Sequence, residues 1–312
     1  MRGLLDCPIS RSRANGEAAD VVRAAEQVLA GAAAHEAKTA PAAKMVIEVH
    51  DFGFSYGTFR ALEGVSFEAY SGEVLALCGP RGCGAQTMLC AVGQTLPGAG
   101  EWESEGDILV AGMSVLHDVS PDRARNLAAT AFAAGLSEEQ SVYNALARPL
   151  RLRGVHAEAA LCEAIDAALD AMGVKKRLAP HMRARVSSCS PLEQRLVRLA
   201  QALLRSPEAL LVEEPTRGLS RDDAHVVQDA LRRIAKERRI AVVIESCDAC
   251  EVESLADRAA FFLEGRLVET GTPSELTSPS ADYRARSFFE GRMRQSAVAV
   301  SLPSLDASPI AS

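Results

Sequence analysis

Gly79-Pro80-Arg81-Gly82-Cys83-Gly84-Ala85-Gln86-Thr87 follows a short apolar run, Val74 to Cys78, and leads directly into a second, Met88-Leu89-Cys90-Ala91-Val92. An apolar strand, a glycine-rich turn and an apolar helix in that order place the turn at the carboxyl end of a strand buried on both faces. The spacing of Gly79, Gly82 and Gly84 is that of a phosphate-binding loop. In such loops the glycines let backbone N–H groups close round phosphate oxygens, and the helix start adds roughly half a positive charge. The same motif calls for a lysine on the β- and γ-phosphates and a hydroxyl on magnesium, and these positions hold Ala85 and Gln86. The cradle is kept while its cation is gone.

Working outward, Ala209 to Val212 and Ile240 to Ile244 are further apolar runs of strand length. Pro191 to Arg205 places Leu192, Leu196, Leu199, Ala200, Leu203 and Leu204 at helical spacing, with Arg195, Arg198 and Arg205 on other faces, and reads as an amphipathic helix. Strands alternating with helices imply a parallel α/β sheet, whose ligands lie beyond the carboxyl ends of the strands. The loops after Cys78, Val212 and Ile244 are therefore the candidate site. Glu138 to Lys176 carries a helical stripe of Ala160, Leu161, Ala164, Ile165, Ala168, Leu169 and Met172, and reads as an inserted helical subdomain, about 134–188 with its flanks. Ala260 to Glu269 reads as a β-hairpin turning at Glu264-Gly265.

The folded part is expected over 44–292. Residues 1–43 are Ala-rich, with a frayed helix at most over Ala24 to Ala34, and 293–312 are rich in Ser, Ala and Pro; both are read as unstructured tails. With 41 acidic against 34 basic residues the net charge is -7, which argues against a nucleic-acid partner. No apolar stretch approaches the roughly 20 residues needed to span a bilayer, and the start lacks a secretory apolar core. The expectation is a cytoplasmic protein, peripheral at most at the inner face of the cell membrane. Its eight cysteines are read as reduced thiols.

These segments, in this order, resemble the ATP-binding subunits of ABC transporters over about 46–292. The resemblance rests on Ser71-Gly72-Glu73-Val74, the glycine loop, Leu210-Leu211-Val212-Glu213-Glu214-Pro215-Thr216, and Gly265-Arg266-Leu267-Val268-Glu269-Thr270-Gly271. Leu96-Pro97-Gly98-Ala99, Ser141-Val142-Tyr143-Asn144 and Ala260-Phe261-Phe262-Leu263 are similar to the phosphate-import branch. The resemblance implies a P-loop NTPase fold with a parallel core sheet, an antiparallel β subdomain and a helical insert. It also implies ATP and magnesium as cofactors, a homodimer or a heterodimer with another ATP-binding subunit, and membrane permease subunits as partners. By the same resemblance Tyr56 would stack on adenine. Gly79, Gly82, Cys83, Gly84, Ala85, Gln86 and Thr87 would line the phosphates, Glu213 would stand near magnesium, and Glu214 would be the general base.

The departures run in one direction. The family's signature Leu-Ser-Gly-Gly-Gln is Cys189-Ser190-Pro191-Leu192-Glu193 here, where proline deletes a donor N–H and Leu192 adds bulk. What survives is a helix start, with Ser190 as N-cap, Pro191 at the first position and Glu193 completing a capping box. Glu193 also sets a carboxylate where an anion would dock. The glutamine that links nucleotide to permease aligns with Ala133, the switch histidine with Cys247, and Arg217-Gly218-Leu219-Ser220 replaces the dimer-facing loop. Losing one preorganised group of this kind commonly costs about 100-fold to 1,000-fold in rate, and each lost charged hydrogen bond removes roughly 1.5 to 3 kcal/mol of binding. The expectation is a pseudoenzyme with weak or absent ATP affinity, acting as a structural or regulatory partner.

The rival reading is an active ATPase subunit energising phosphate uptake. A remote alternative treats Cys247-Asp248-Ala249-Cys250 as a redox pair. Zinc at that pair lacks a second ligand pair. The six histidines have no mutual ligand spacing and are assigned no role. Arg183, Arg185, Arg195 and Arg198 are read as a solvated basic face.

Overall fold

A computed structural model of the chain describes residues 43–96, 102–131 and 139–293. The tail assignments over 1–42 and 294–312, the Pro97-Gly98-Ala99 part of the import wording, and Ala133 lie outside the described residues.

Strand β1 (Met45–Tyr56) pairs antiparallel with β2 (Phe59–Tyr70) and with β4 (Trp102–Val110), and β5 (Met113–Ser114) closes a four-stranded sheet of order β2-β1-β4-β5. This is the antiparallel subdomain. The second sheet has six strands in the order β10-β9-β3-β8-β7-β6, with β3 (Val74–Cys78), β6 (Ala128–Thr130), β7 (Ala209–Glu213), β8 (Ala241–Ser246) and β9 (Arg258–Leu263) parallel to one another. Strand β10 (Arg266–Gly271) returns antiparallel beside β9. The connecting turn is at Glu264 and Gly265, with φ of 51° and 78°, the left-handed pair that a two-residue hairpin requires.

The central strands are unbroken apolar runs because each face of the sheet meets its own core. Val74, Ala76, Cys78, Leu210, Val212, Val242 and Ile244 enter one core, and Leu75, Leu77, Leu211, Val243, Ala260 and Phe262 enter the other. The second core also takes the four-stranded sheet and α1 (Ala85–Val92), the helix that follows the glycine loop. The first takes the helical insert: α3 (Val142–Leu152), α4 (Glu158–Ala171), the short α5 (Lys175–Leu178), two 3-10 turns at Ala179–His181 and Val186–Ser188, and then α6 (Pro191–Leu203). The stripe read from the sequence is the buried one, with Leu161, Ile165, Ala168, Leu169 and Met172 all enclosed. Helix α2 (Pro121–Leu127) precedes β6, α7 (Arg221–Arg238) and α8 (Ala249–Leu255) flank β8, and α9 (Pro273–Leu276) and α10 (Tyr283–Phe289) close the described chain. Among the described residues no helix is long and apolar enough to cross a membrane.

Helix α6 begins as its sequence dictates. Ser190 Oγ accepts the Glu193 N–H at 3.3 Å, and Glu193 Oε2 accepts the Ser190 N–H at 2.8 Å, so both arms of the capping box are made. Ser141 caps α3 in the same manner, accepting the Asn144 N–H at 3.2 Å.

Candidate functional site

The parallel strands bring the loops after β3, β7 and β8 to one edge, as the fold rule requires. After β3 the chain turns through Gly79, Gly82 and Gly84 at φ of 156°, 79° and 103° into α1. Two of these glycines are demanded by packing alone. A Cβ on Gly79 would lie 2.2 Å from the Phe262 carbonyl oxygen, and one on Gly84 would lie 2.9 Å from Leu62 Cδ2 and 3.1 Å from the Ala61 carbonyl oxygen. Cys83 is buried inside the loop, and its N–H donates to the Pro80 carbonyl at 3.0 Å. Burial pushes its thiol up to about 12, against a hydrogen bond from the Ala85 N–H.

Ala85 is buried at the first position of α1 and offers the loop only a methyl group. The next residue reaches further: Gln86 donates its side-chain amide to Oε1 of Glu213, the last residue of β7. Tyr56, at the end of β1, is half-buried with its ring edge-on to Phe54 at 4.8 Å. Burial raises the Tyr56 phenol, and a hydrogen bond with Thr87 acts against it. The structure thus brings Tyr56, the glycine loop, Glu213 and Glu214 to one edge.

Glu214 sits at a φ of 42°, a left-handed conformation uncommon for a residue with a side chain. Its N–H donates to the Glu245 carbonyl at 2.8 Å, and its Oε1 accepts the Cys247 thiol at 3.1 Å. Burial first, and then this contact with Glu214, raise the Cys247 thiol; a hydrogen bond with Arg81 of the glycine loop opposes them. Cys247, at the switch position, therefore faces the loop from the end of β8, while Cys250 is exposed in α8.

Two further carboxylates complete the edge, and the sequence reading passed over both. Glu245 is buried beside Glu213, and burial, then repulsion from Glu214, Glu213 and Glu251, push it up to about 8. Glu251, buried at the start of α8, accepts the Thr216 N–H at 2.9 Å on one oxygen and the Ser246 hydroxyl at 2.6 Å on the other. Burial also raises Glu213 and Glu251. The available signal was Glu245 following a buried run at the same depth as Glu213.

The solvated basic face needs a correction. Arg195 lies under the loop that follows β7, where its guanidinium donates to the carbonyls of Glu214 at 2.7 Å, Pro215 at 2.6 Å and Arg217 at 3.2 Å. Helical periodicity places Arg195 off the main apolar stripe but says nothing about which loop folds onto that face. Arg183 and Arg185 are exposed, as expected. At the signature position Ser190 and Pro191 are exposed, Leu192 is buried, and Glu193 lies 3.2 Å from His181 Nε2.

Fold and site together define a nucleotide-binding-type α/β protein of the P-loop kind, and residues 62–217, half of the chain, match the family model described as ABC transporter. The protein belongs to that family. It is similar to the phosphate import ATP-binding protein PstB 1 of Bacillus licheniformis, 24% identical over 82% of this chain and 98% of that protein. It is also similar to PstB 5 of Trichormus variabilis, 26% identical over 79% and 96%. Among solved structures it superposes on an ATP-binding subunit of an ABC transporter with a TM-score of 0.61, at 22% identity over 74% of this chain and 92% of that one. The ADP conformation of an ABC transporter's ATP-binding cassette gives 0.64 at 17% identity, over 79% and 99%. These structural likenesses are likenesses of fold.

Proposed function

We propose that this chain is an ABC ATP-binding subunit of the phosphate-import type that binds ATP weakly or not at all, does not hydrolyse it, and serves its complex as a structural or regulatory partner. The observation that carries this reading is the contact between Gln86 and Glu213. In the family these two positions serve one magnesium ion, which requires oxygen donors from both sides. Here an amide N–H points at the carboxylate that a cation would need, so magnesium would have to break this pair before it could bind.

The surrounding charge supports the same conclusion. Ala85 brings no ammonium group, while Glu213, Glu214, Glu245 and Glu251 gather at the edge, where the charges of Arg217 and Arg195 face them. A triphosphate would meet the carboxylates of Glu213 and Glu214 where the motif normally supplies a cation. Glu214 keeps the position of the general base, but its carboxylate accepts the Cys247 thiol and has no imidazole across from it.

The phosphate-import assignment is supported by the two PstB relatives and by the Ser141-Val142-Tyr143-Asn144 and Ala260-Phe261-Phe262-Leu263 wording. Pairing with a second ATP-binding subunit, docking on permease subunits at the cytoplasmic face, and a location peripheral to the membrane follow from membership of that branch. A homodimer would contain no intact composite site, because the loop and the signature segment are altered in the same chain.

Calorimetric titration of the purified protein with ATP and magnesium tests the reading. The expected outcome is no saturation in the micromolar range and no phosphate release. Turnover that a Glu214→Gln variant abolishes would overturn it in favour of an active ATPase subunit.

A further inference from the structure

The signature segment has lost the residues that would face a nucleotide, and three donors of a different chemistry meet in their place. His181 ends the first 3-10 turn of the helical insert, Cys189 immediately precedes the N-cap of α6, and Glu193 lies in its first turn. One ligand-type atom from each lies within 4.8 Å of the other two. His181 Nε2 and a Glu193 oxygen are already 3.2 Å apart. The Cys189 residue is buried, and its sulfur contacts the Arg185 carbonyl at 3.6 Å, a long and weak bond for a thiol to exchange.

We propose that His181, Cys189 and Glu193 form a zinc site, with water as the fourth ligand. Zinc takes imidazole nitrogen, thiolate sulfur and carboxylate oxygen in one tetrahedron, and three protein ligands with an open fourth position are a regular arrangement for it. Magnesium and calcium require an all-oxygen shell, which this set does not offer. At ordinary zinc–ligand lengths the donor atoms stand about 3.3 to 3.5 Å apart. The histidine–glutamate pair has that spacing now. For the sulfur, binding has to close a gap that is at most 4.8 Å now.

The supporting shell is built as well. Glu193 Oε2 accepts the Ser190 N–H at 2.8 Å, which fixes the carboxylate and leaves the other oxygen turned toward His181. When the ion binds, the Cys189 S–H bond breaks, the sulfur keeps the electron pair as a thiolate ligand, and the proton leaves to solvent. The site lies outside the glycine loop and does not depend on whether nucleotide binds. It would clamp the first 3-10 turn, Ala179–His181, to the start of α6.

Cobalt titration of the full-length, reduced, untagged and chelator-stripped protein, followed by zinc competition, tests the site. The expected result is one cobalt ion per chain, with tetrahedral visible bands and a near-ultraviolet thiolate-to-metal band, all removed by zinc. Cys189→Ser should abolish the near-ultraviolet band. His181→Ala, at a half-exposed position, should keep that band but weaken affinity by roughly 10-fold or more. Cys250→Ser should change neither. No saturable binding in the micromolar range would overturn the proposal. So would a band that survives Cys189→Ser and disappears with Cys250→Ser.

Discussion

Glu245 and Glu213 are register partners at the ends of adjacent parallel strands, so two carboxylates stand side by side where the sheet meets the glycine loop. The buried member yields first. Glu245 is pushed up to about 8, mainly by burial and then by its acidic neighbours.

That shift sets a pH dependence. Between about pH 4.5 and about pH 8 the folded chain holds a proton on Glu245 that the unfolded chain releases, so stability falls as pH rises through that window. Glu245→Gln is neutral throughout and should be more stable than the parent at pH 8, by up to a few kcal/mol, with the advantage shrinking toward pH 5. Thermal melts of both proteins across that range check it. Parallel curves would show that Glu245 does not carry the proton.

Arg195 donates to three carbonyls of the loop after β7 from a half-buried position. Arg195→Ala leaves those acceptors short of partners and should cost about 1 to 3 kcal/mol, measured by denaturant melts. Arg195→Lys should recover only part of this, because an ammonium group cannot reproduce the planar fork. Full recovery by lysine would mean that charge alone matters there.

The glycine loop offers a contrast between shape and use. Gly79→Ala would drive a Cβ to 2.2 Å from the Phe262 carbonyl oxygen, so the backbone must move. A loss of about 3 kcal/mol or more is expected with no nucleotide present, since strain and repacking act together. Melting the variant without ATP isolates this effect. Unchanged stability would return Gly79 to a purely ligand-driven role.

Restoring the missing groups should restore affinity. Ala85→Lys with Gln86→Ser supplies an ammonium group to the loop and releases Glu213 from its amide partner. At about 1.5 to 3 kcal/mol per charged hydrogen bond, ATP should bind roughly 10- to 100-fold more tightly with magnesium present. Calorimetry reads the gain directly. Its absence would mean that the backbone of the loop no longer cradles phosphate.

Features set by neighbours in the chain were legible beforehand. The buried strands, the capping box at Ser190 and Glu193, and the hairpin at Glu264 and Gly265 each follow from a few consecutive residues. The convergences were not. Glu251 reaches Thr216 across 35 positions, and Arg195 reaches Glu214 across 19. Periodicity told which side of α6 is apolar, but only the path of the loop after β7 decides that Arg195 is covered. The sequence gives His181 no role, because the six histidines share no ligand spacing. Its neighbours in space are a cysteine and a glutamate that the same helix start presents.

The three hydrogen bonds accepted by Glu251 join the segment after β7, through the N–H and hydroxyl of Thr216, to the end of β8, through Ser246. A protein latched this way by its own side chains holds those segments together without any outside trigger.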